Sequence, residues 1–354
     1  MFGRSKDTRK KRSASWIVLI TVGLMLVLSA CGAPAATDSV SLRLAYFPNL
    51  THTPALIGVA QGTFQKALGA TKLETRPFNA GPALIEAMLA GEIDIAYVGP
   101  NPAINGYVKS RGDALRIVAG ASSGGALFVV RPDANINTAK VLDGKKLATP
   151  QKGGTQDVAL RHYLQSNGLK SNDDGGTVNV LPTQNPDILT LFQKGEIDGA
   201  WVPEPWATRL VQEAKGKVFV DERDLWPAGK FVTTVVIVSN KFLKAHPEVI
   251  KAFLAAHVDS IKFVQDKPED ARKLVNTEIE RLTGKGLPSS VIDAAFQNID
   301  FVYDPLPQSL FVTADHAFDL GFLGDSKPEL KGILDLTLFN QVLKEKGLAE
   351  IQSP

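Results

Sequence analysis

The chain has 354 residues, 44% of them hydrophobic and 21% charged, which is typical of a soluble globular protein with room for two domains. Its formal net charge is +2, but residues 1–30 hold six Lys and Arg and one Asp, so the rest of the chain has a net charge of −3. This mildly acidic body argues against a nucleic-acid-binding protein, and a single cysteine leaves no disulfide framework.

The N-terminal segment has the parts of a bacterial lipoprotein signal peptide. A basic segment at 9–16 precedes an apolar run at 17–28, which is short for a membrane span. Leu-Ser-Ala-Cys follows and resembles a lipobox, in which the cysteine is lipidated and becomes the first residue of the mature chain. We predict a signal peptide at 1–30, lipidation of Cys31, a small-residue tether at 31–40, and a membrane-anchored protein facing the periplasm or the cell exterior. An uncleaved anchor with an inert cysteine is the alternative.

From Ser41 onward, apolar β-rich runs alternate with helical patterns, which is typical of parallel α/β sheets. The predicted order is strand SLRLAYFP, helix PALIGVAQGTFQKALG, strand KLETRPFN, helix GPALIEAMLAG, and strands IDIAYVG and LRIVAGAS. The order restarts with strand KKLATPQ, helix TQDVALRHYLQSNGL, strand TVNVLPT, helix NPDILTLFQKG and strand IDGAWVP. We therefore predict two related α/β halves.

One motif occurs twice with a different ending. GEIDIAYVGPNPA begins at Gly91, and GEIDGAWVPEPWA begins 104 residues later at Gly195, with seven of thirteen positions identical. Two copies are too few for a solenoid, so they indicate two globular halves. The apolar runs GALFVVRP and FVTTVVIVSN can carry the chain from one half to the other and back. We predict lobe 1 at 41–127 and 234–354, lobe 2 at 128–233, a two-strand hinge, and a ligand cleft at the carboxyl ends of the strands.

Five segments together resemble a known family. YFPNLTHTPALIG, GEIDIAYVGPNPAING, GASSGGALFVV, PQKGGTQDVALRHYLQSNGL and GEIDGAWVPEPW are similar to the sulfonate/nitrate/taurine family of ABC-transporter substrate-binding lipoproteins. The resemblance covers nearly everything after Ser41. It implies the type II periplasmic-binding-protein fold, with two α/β lobes, each a mainly parallel sheet flanked by helices, joined by a two-strand hinge.

The same resemblance implies a function. A monomer would capture a small organic anion, aliphatic sulfonate-like or taurine-like, or nitrate, and deliver it to an ABC permease in the membrane. The family also contains binders of pyrimidines, and a related branch contains a biosynthetic enzyme for a thiamine precursor. A lipoprotein that reports its ligand to a signalling partner is a third hypothesis, which adjoining permease genes would argue against.

Candidate ligand contacts in the second half follow predicted strands, where helix N-termini favour anions. Gly154, Thr155 and Gln156 begin a helix, and the Thr155 hydroxyl either contacts the ligand or caps that helix. Trp201 and Glu204 would present an aromatic wall and a carboxylate to the organic part of the ligand. We expect one of the two tryptophans of this motif, Trp201 and Trp206, to lie in the core. A carboxylate beside the cleft would repel a bare inorganic anion and suit a ligand with an amine.

The first half offers polar or small residues after three of its predicted strands. These are Asn49, Thr51, His52, Gly99, Asn101, Ser122 and Ser123. Protonated His52 donates from both ring nitrogens, whereas the neutral ring donates from one. Turn formation is the alternative role for the two serines.

Catalytic motifs are not found in the sequence. There is no GxSxG, HExxH, Walker or CxxC motif, and the five histidines have no metal-ligand spacing. We interpret Glu92, Asp94, Glu196 and Asp198 as structural residues, because they precede strands at the end opposite the cleft. The sequence therefore predicts a binding protein without catalytic residues, cofactor or metal.

Overall fold

The computed structural model describes residues 40–352. The predicted signal peptide, Cys31 and the predicted tether up to residue 39 lie outside this range. Within it, no helix combines the length and the apolar character that a membrane span requires.

Two sheets organise the described residues. Their strands are β1 (Ser41–Tyr46), β2 (Lys72–Pro77), β3 (Ile95–Val98), β4 (Leu115–Gly124), β5 (Ala126–Val130), β6 (Lys146–Thr149), β7 (Asn179–Pro182), β8 (Gly199–Pro203), β9 (Lys217–Asp221), β10 (Val232–Ser239) and β11 (Ile299–Asp300). The first sheet has the strand order β11-β4-β10-β3-β1-β2, and the second has the order β7-β6-β8-β5-β9.

Helices connect and cover the strands. They are α1 (Thr53–Ala60), α2 (Thr63–Leu68), α3 (Gly81–Leu89), α4 (Pro100–Lys109), α5 (Thr155–Ser166), α6 (Asn185–Gln193), α7 (Trp206–Ala214), α8 (Asn240–Ala245), α9 (Pro247–Asp266), α10 (Pro268–Thr283), α11 (Ser289–Phe296), α12 (Pro307–Asp319) and α13 (Thr337–Glu345). Proline occupies the first or second position of many of them, where the missing N–H would have had no intrahelical acceptor.

Most strands of each sheet run in one direction, as the sequence predicts, and each sheet also has strands of the opposite direction. Each sheet contains a three-strand parallel unit, β2-β1-β3 in the first and β7-β6-β8 in the second. The remaining neighbours are antiparallel, including β10 beside β3 and β5 beside β8. Parallel pairing requires a crossover that returns the chain to the same end, and β5 and β10 enter directly from the other sheet without one.

The chain passes between the sheets twice. Only Gly125 separates β4 from β5, and the return runs from the end of β9 to the start of β10. The second sheet therefore already includes Ala126, and the first includes Val232. The lobe boundaries at 127/128 and 233/234 stay a prediction.

Both faces of each sheet are covered, which explains the nearly continuous apolar strands. In the first sheet, α1, α9 and α13 pack on the face that carries Val236, and α3, α4 and α12 pack on the face that carries Ile237. In the second sheet, α5 packs against Phe128, whereas α6 and α7 pack against Val129. Neighbouring residues of one strand thus enter different cores, as the two-residue period of a strand requires.

The predicted helix PALIGVAQGTFQKALG is two helices. Helix α1 ends at Ala60 and α2 begins at Thr63, because Gly62 between them has a φ of 66°. This left-handed conformation ends a helix and favours glycine. The shorter α1 keeps its N-terminus at the end of β1, where the predicted cleft lies.

The two copies of the repeated motif use their aspartates in the same way. Asp94 accepts hydrogen bonds from the backbone N–H and the guanidinium of Arg43 at the start of β1. Asp198 accepts one from the backbone N–H of Lys146 at the start of β6, at 2.8 Å. Each carboxylate thus fixes the start of a central parallel strand, at the end away from the cleft, which agrees with a structural role.

Candidate ligand-binding site

A small cavity lies between the carboxyl ends of the parallel strands of the two sheets, and we call it the inner cavity. Its volume is about 40 Å³, enough for a small polar group. Seven of the twelve predicted contacts line it, namely Asn49, Thr51, His52, Gly99, Gly154, Thr155 and Gln156. Lining residues that the sequence did not single out include Phe47, Asn79, Gly81, Gln151, Asn185, Thr233 and Thr234.

Helix N-termini converge on the inner cavity. Gly81 and Asn185 are the first residues of α3 and α6, and Gly99 and Gly154 precede the first turns of α4 and α5. The first N–H groups of a helix have no intrahelical acceptor, and its N-terminus has a partial positive charge. Four such ends around one cavity favour an anionic ligand.

Three buried side chains on the cavity wall have polar atoms without a hydrogen-bond partner among residues 40–352. They are Thr155 Oγ1, Asn185 Oδ1 and Thr234 Oγ1, in residues that are 8%, 4% and 0% exposed. Buried polar atoms of folded proteins are nearly always paired, so unpaired ones clustered at a cavity indicate a missing partner. The hydroxyls can donate to a ligand, and so can Asn185 if its amide is rotated by half a turn.

His52 enters the cavity as a neutral ring. Burial lowers the pKa of His52 to about 3. Its Nδ1 accepts a hydrogen bond from the backbone N–H of Phe47 at 3.3 Å, and the two rings stack with centroids 4.3 Å apart. The proton of the neutral ring therefore lies on Nε2, so His52 has one N–H to donate and not the two of the protonated form.

Within the part of the chain that the structure describes, no Lys, Arg, Asp or Glu lines the inner cavity. With His52 neutral, its polar groups are amides, hydroxyls, one imidazole and the helix N-termini. Such a lining offers hydrogen-bond donors to an anion without a fixed counter-charge.

Glu204 lies outside the cavity lining, although the sequence predicted a carboxylate beside the cleft. The residue is fully buried, and its carboxylate accepts from the backbone N–H of Thr208 at 3.0 Å, from the Thr208 hydroxyl at 2.9 Å and from Asn298 Nδ2 at 2.7 Å. Burial raises the pKa of Glu204, while these hydrogen bonds oppose the shift. Glu204 thereby fixes the start of α7 against the segment that precedes β11.

The other four predicted contacts also do not line the inner cavity. Asn101 donates to the backbone carbonyl of Thr313 at 3.4 Å, and the Ser123 hydroxyl accepts from the N–H of Phe231. Ser122 is buried beside Thr234 in the β4–β10 pair, and its hydroxyl also has no partner among the described residues.

The two tryptophans of the second motif copy have different surroundings. Trp201 is fully buried, stacks on Phe128, and donates from Nε1 to Glu222 at 2.7 Å. Trp206 is partly exposed and donates from Nε1 to Asn49 Oδ1 at 3.0 Å, across the cleft. Trp201 is therefore the core residue of the pair.

Trp206 also lines an outer pocket of about 320 Å³ that adjoins the inner cavity. The two spaces share Asn49, Asn79 and Asn185. Arg209 lies over the Trp206 ring at 4.7 Å and pairs with Glu213, and Lys285 adds a second cation to this wall. The outer pocket thus differs from the inner cavity in two ways: its lining has larger apolar side chains, and it also includes charged ones.

A buried network supports the loop that precedes α5. Asp157 accepts from the N–H of Gly153, from the hydroxyl of Thr149 and from Nε of Arg161, at 2.9, 2.9 and 3.0 Å. Arg161 extends the network to Asp173. This carboxylate at the third position of α5 fixes the loop whose N–H groups face the cavity.

Two glycines of the cavity wall differ in what a side chain would meet. A Cβ at Gly99 would lie 2.1 Å from Thr155 Oγ1, so the two halves approach each other closely there. A Cβ at Gly154 would lie 3.0 Å from the carbonyl of Gln151 in its own loop. Gly99 thus permits contact between the halves, and a substitution at Gly154 disturbs its loop first.

Known proteins share this sequence pattern and architecture. The model of the NMT1-like family matches residues 35–279. The chain belongs to the NMT1-like family. The taurine-binding periplasmic protein of Escherichia coli (strain K12) is 29% identical over 226 residues. The matched region covers 63% of this chain and 66% of the relative, which is just under two thirds of the relative's length.

Solved structures show that the NMT1-like chain has the predicted type II periplasmic-binding-protein fold. The alkanesulfonate-binding protein SsuA from Xanthomonas axonopodis pv. citri, bound to MOPS, matches with a TM-score of 0.70 and 17% identity, covering 85% of this chain and 99% of that one. The periplasmic nitrate-binding protein NrtA from Synechocystis PCC 6803 matches with a TM-score of 0.70 and 14% identity, covering 87% and 89%. The family resemblance predicted from the sequence is confirmed.

Among residues 40–352, no group of three or more His, Cys, Asp or Glu side chains is placed to hold a metal ion. In this NMT1-like chain, His52 is instead a neutral donor at the cavity, and the carboxylates of Glu204 and Asp157 accept hydrogen bonds that fix neighbouring backbone. The arrangement offers hydrogen-bond donors to an oxyanion at the point where the two sheets meet.

Proposed function

We propose that this protein is the extracytoplasmic solute-binding component of an ABC importer and that it holds a small oxyanion, sulfonate-like or nitrate-like, in the inner cavity. One observation carries the proposal: among the described residues, four helix N-termini and three buried polar side chains without a hydrogen-bond partner face one cavity whose lining has no charged side chain. Taurine, alkanesulfonate and nitrate appear in the names of its relatives, and they share the chemistry of an anion with several acceptor oxygens.

The two adjoining spaces favour an organic anion over nitrate. The inner cavity of about 40 Å³ suits the oxyanion group, and the outer pocket of about 320 Å³ provides room for an organic tail beside Trp206. Arg209 and Lys285 at the outer pocket would also attract an anion toward the cleft.

The proposed mechanism is closure around the ligand. Hydrogen bonds already join the two sides of the cleft, from Asn79 Nδ2 to Gln184 Oε1 at 2.8 Å and from Trp206 Nε1 to Asn49 Oδ1. An anion that contacts both Thr155 and Thr234 would stabilise this arrangement over an open one, because a ligand shifts an equilibrium through its differential affinity for two states. The two chain crossings would then act as the hinge.

Delivery to a permease and lipid anchoring complete the proposal. A monomer attached through Cys31 would remain at the membrane and present the closed form to the permease. We propose a binding role and not a catalytic one, since the residues at the cavity are donors and not nucleophiles or paired acids and bases.

Calorimetry of the purified protein with nitrate, taurine, methanesulfonate and a neutral pyrimidine tests the proposed function. We expect an oxyanion of this set to bind, to raise the melting temperature as mass action requires, and to reduce the radius of gyration in solution scattering. Preferential binding of the pyrimidine, or the absence of binding by every oxyanion, would contradict the proposal. Sodium chloride at matched ionic strength is the control.

A further inference from the structure

A second cavity, which we call the aromatic chamber, lies along α5 and differs chemically from the inner cavity. Its volume is about 550 Å³, within the range of small-molecule sites. One side of it is the face of α5 that carries Val158, His162 and Ser166. Helix α12 and the segment from β9 to β10 form the other sides. Thr155 lines both spaces, so the chamber begins where the inner cavity ends.

Aromatic rings form much of the chamber wall. Tyr163 packs edge-on against Trp201 with centroids 5.7 Å apart, and Trp226 stacks on Phe231 at 5.6 Å. The faces and edges of these rings come from three separate parts of the chain. A cation is attracted to the face of such rings, most strongly to tryptophan.

Glu222 is the acidic residue of the chamber wall. It is 3% exposed, and its Oε2 accepts a hydrogen bond from Trp201 Nε1 at 2.7 Å. Of residues 40–352, neither a Lys nor an Arg lines the chamber. The neighbouring Arg223 pairs with Asp221 at 2.6 Å, so it is not directed to Glu222. Burial of a carboxyl group without a basic partner costs free energy unless the group is protonated or binds a cation.

Two histidines add neutral acceptors to the same wall. His162 and His316 stack with their ring centroids 3.4 Å apart, one from α5 and one from α12. Burial lowers the pKa of both rings, that of His316 to about 4, so both are neutral at neutral pH. His162 Nδ1 is buried and has no hydrogen-bond partner among the described residues.

We propose that the aromatic chamber is a second binding site, distinct from the inner cavity, and that its ligand is an organic ammonium ion. The partly exposed rings of Tyr163 and Trp226 attract the cation, the Glu222 carboxylate neutralises it, and His162 Nδ1 can accept a hydrogen bond from an N–H or O–H of the ligand. An anion would find no basic side chain on this wall. The inference goes beyond the proposed anion transport and does not depend on it.

Proton linkage gives the site a pH signature. Burial raises the pKa of Glu222 to about 8, although the indoles of Trp201 and Trp226 favour its ionised form. Asp221 also raises it, while burial lowers the pKa of His162 and His316 and raises that of Tyr163, which disfavours a charge on these other titratable groups of the wall. A bound cation requires the ionised carboxylate, so affinity should increase as the pH rises toward 8.

Choline and its neutral isostere 3,3-dimethylbutan-1-ol test the proposal in calorimetry and tryptophan fluorescence. We expect choline to bind the full-length protein about thirtyfold more tightly than the alcohol, which corresponds to about 2 kcal/mol of attraction for a desolvated cation. Choline affinity should rise between pH 6 and pH 8. Saturating methanesulfonate should not displace choline.

Glu222→Gln is the informative variant, because an amide oxygen can still accept from Trp201. It should abolish the preference for choline over the alcohol and flatten the pH dependence, while Asp224→Asn, an exposed carboxylate in the same segment, should change neither. Val312→Trp, at the exposed edge of the chamber, should block both compounds and provides the test if Glu222→Gln does not fold. No binding of choline, equal binding in Glu222→Gln, or displacement by methanesulfonate would overturn the proposal. Anion binding by the same preparations separately tests the proposed function.

Discussion

Substitution of Thr155 by valine separates a ligand role from a folding role at the inner cavity. Thr155→Val keeps the side-chain shape and deletes Oγ1, which is buried and has no partner among the described residues. A hydrogen bond to a charged group contributes about 1.5–3 kcal/mol, so its loss should raise the Kd for the bound oxyanion about 10- to 150-fold.

Thr155→Val should weaken ligand binding without lowering the free energy of unfolding. A buried polar group without a partner costs about 1–3 kcal/mol, and valine removes that cost from the ligand-free closed form. We therefore expect the ligand-free Thr155→Val protein to be at least as stable as the parent in urea unfolding, while calorimetry shows weaker binding. Thr190→Val is the matched control, because its hydroxyl donates to the Pro186 carbonyl on the far side of α6. An unchanged Kd, or a loss of stability that accompanies the loss of affinity, would refute this reasoning.

Three further predictions concern other parts of the chain. Gly99→Ala places a Cβ 2.1 Å from Thr155 Oγ1 and should weaken oxyanion binding more than Thr155→Val does; calorimetry showing parental affinity would contradict this. Burial lowers the pKa of His257 from 6.5 to about 4, so the unfolded chain takes up the proton first and stability should fall as the pH drops from 6.5 toward 4. The slope from this one histidine is at most about 1.4 kcal/mol per pH unit, and urea unfolding of His257→Gln should show a flatter profile over that range, not the parental one. Cys31→Ser should abolish lipid labelling and leave the precursor uncleaved, and palmitate labelling of the variant would argue against the lipobox.

The order of the parallel strands and of the helices that connect them could be predicted from the sequence, because these elements have a clear period and glycine or proline boundaries. The seven predicted contacts that line the inner cavity share a simple property, since each follows a parallel strand, and such strand ends meet at one edge of a sheet. The duplicated motif also relates residues of the two halves that line the cavity at equivalent positions. Gly81 and Asn185 are 104 residues apart, as are Gly99 and Pro203, and all four line the cavity. Comparing the copies position by position would have added Pro203, the counterpart of the predicted contact Gly99.

Other parts of the site depend on contacts between residues far apart in the sequence, which a local sequence pattern does not indicate. Thr233 and Thr234 lie within an apolar run, and only the register of β10 between β3 and β4 places them at the cavity. The carboxylate of Glu204 turns away because Asn298, far along the chain, and Thr208 both donate to it. The chamber around Glu222 likewise requires three separate segments to meet.

The position of β10 has a consequence for how the protein forms during synthesis. All strands of the second sheet are available once Asp221 has left the ribosome, whereas the first sheet lacks an internal strand until Val232–Ser239 has been made. Before then β3 and β4 cannot become neighbours of β10, and their edges stay unpaired. The half of the protein encoded in the middle of the gene can therefore fold first, and the half that begins the chain is completed last.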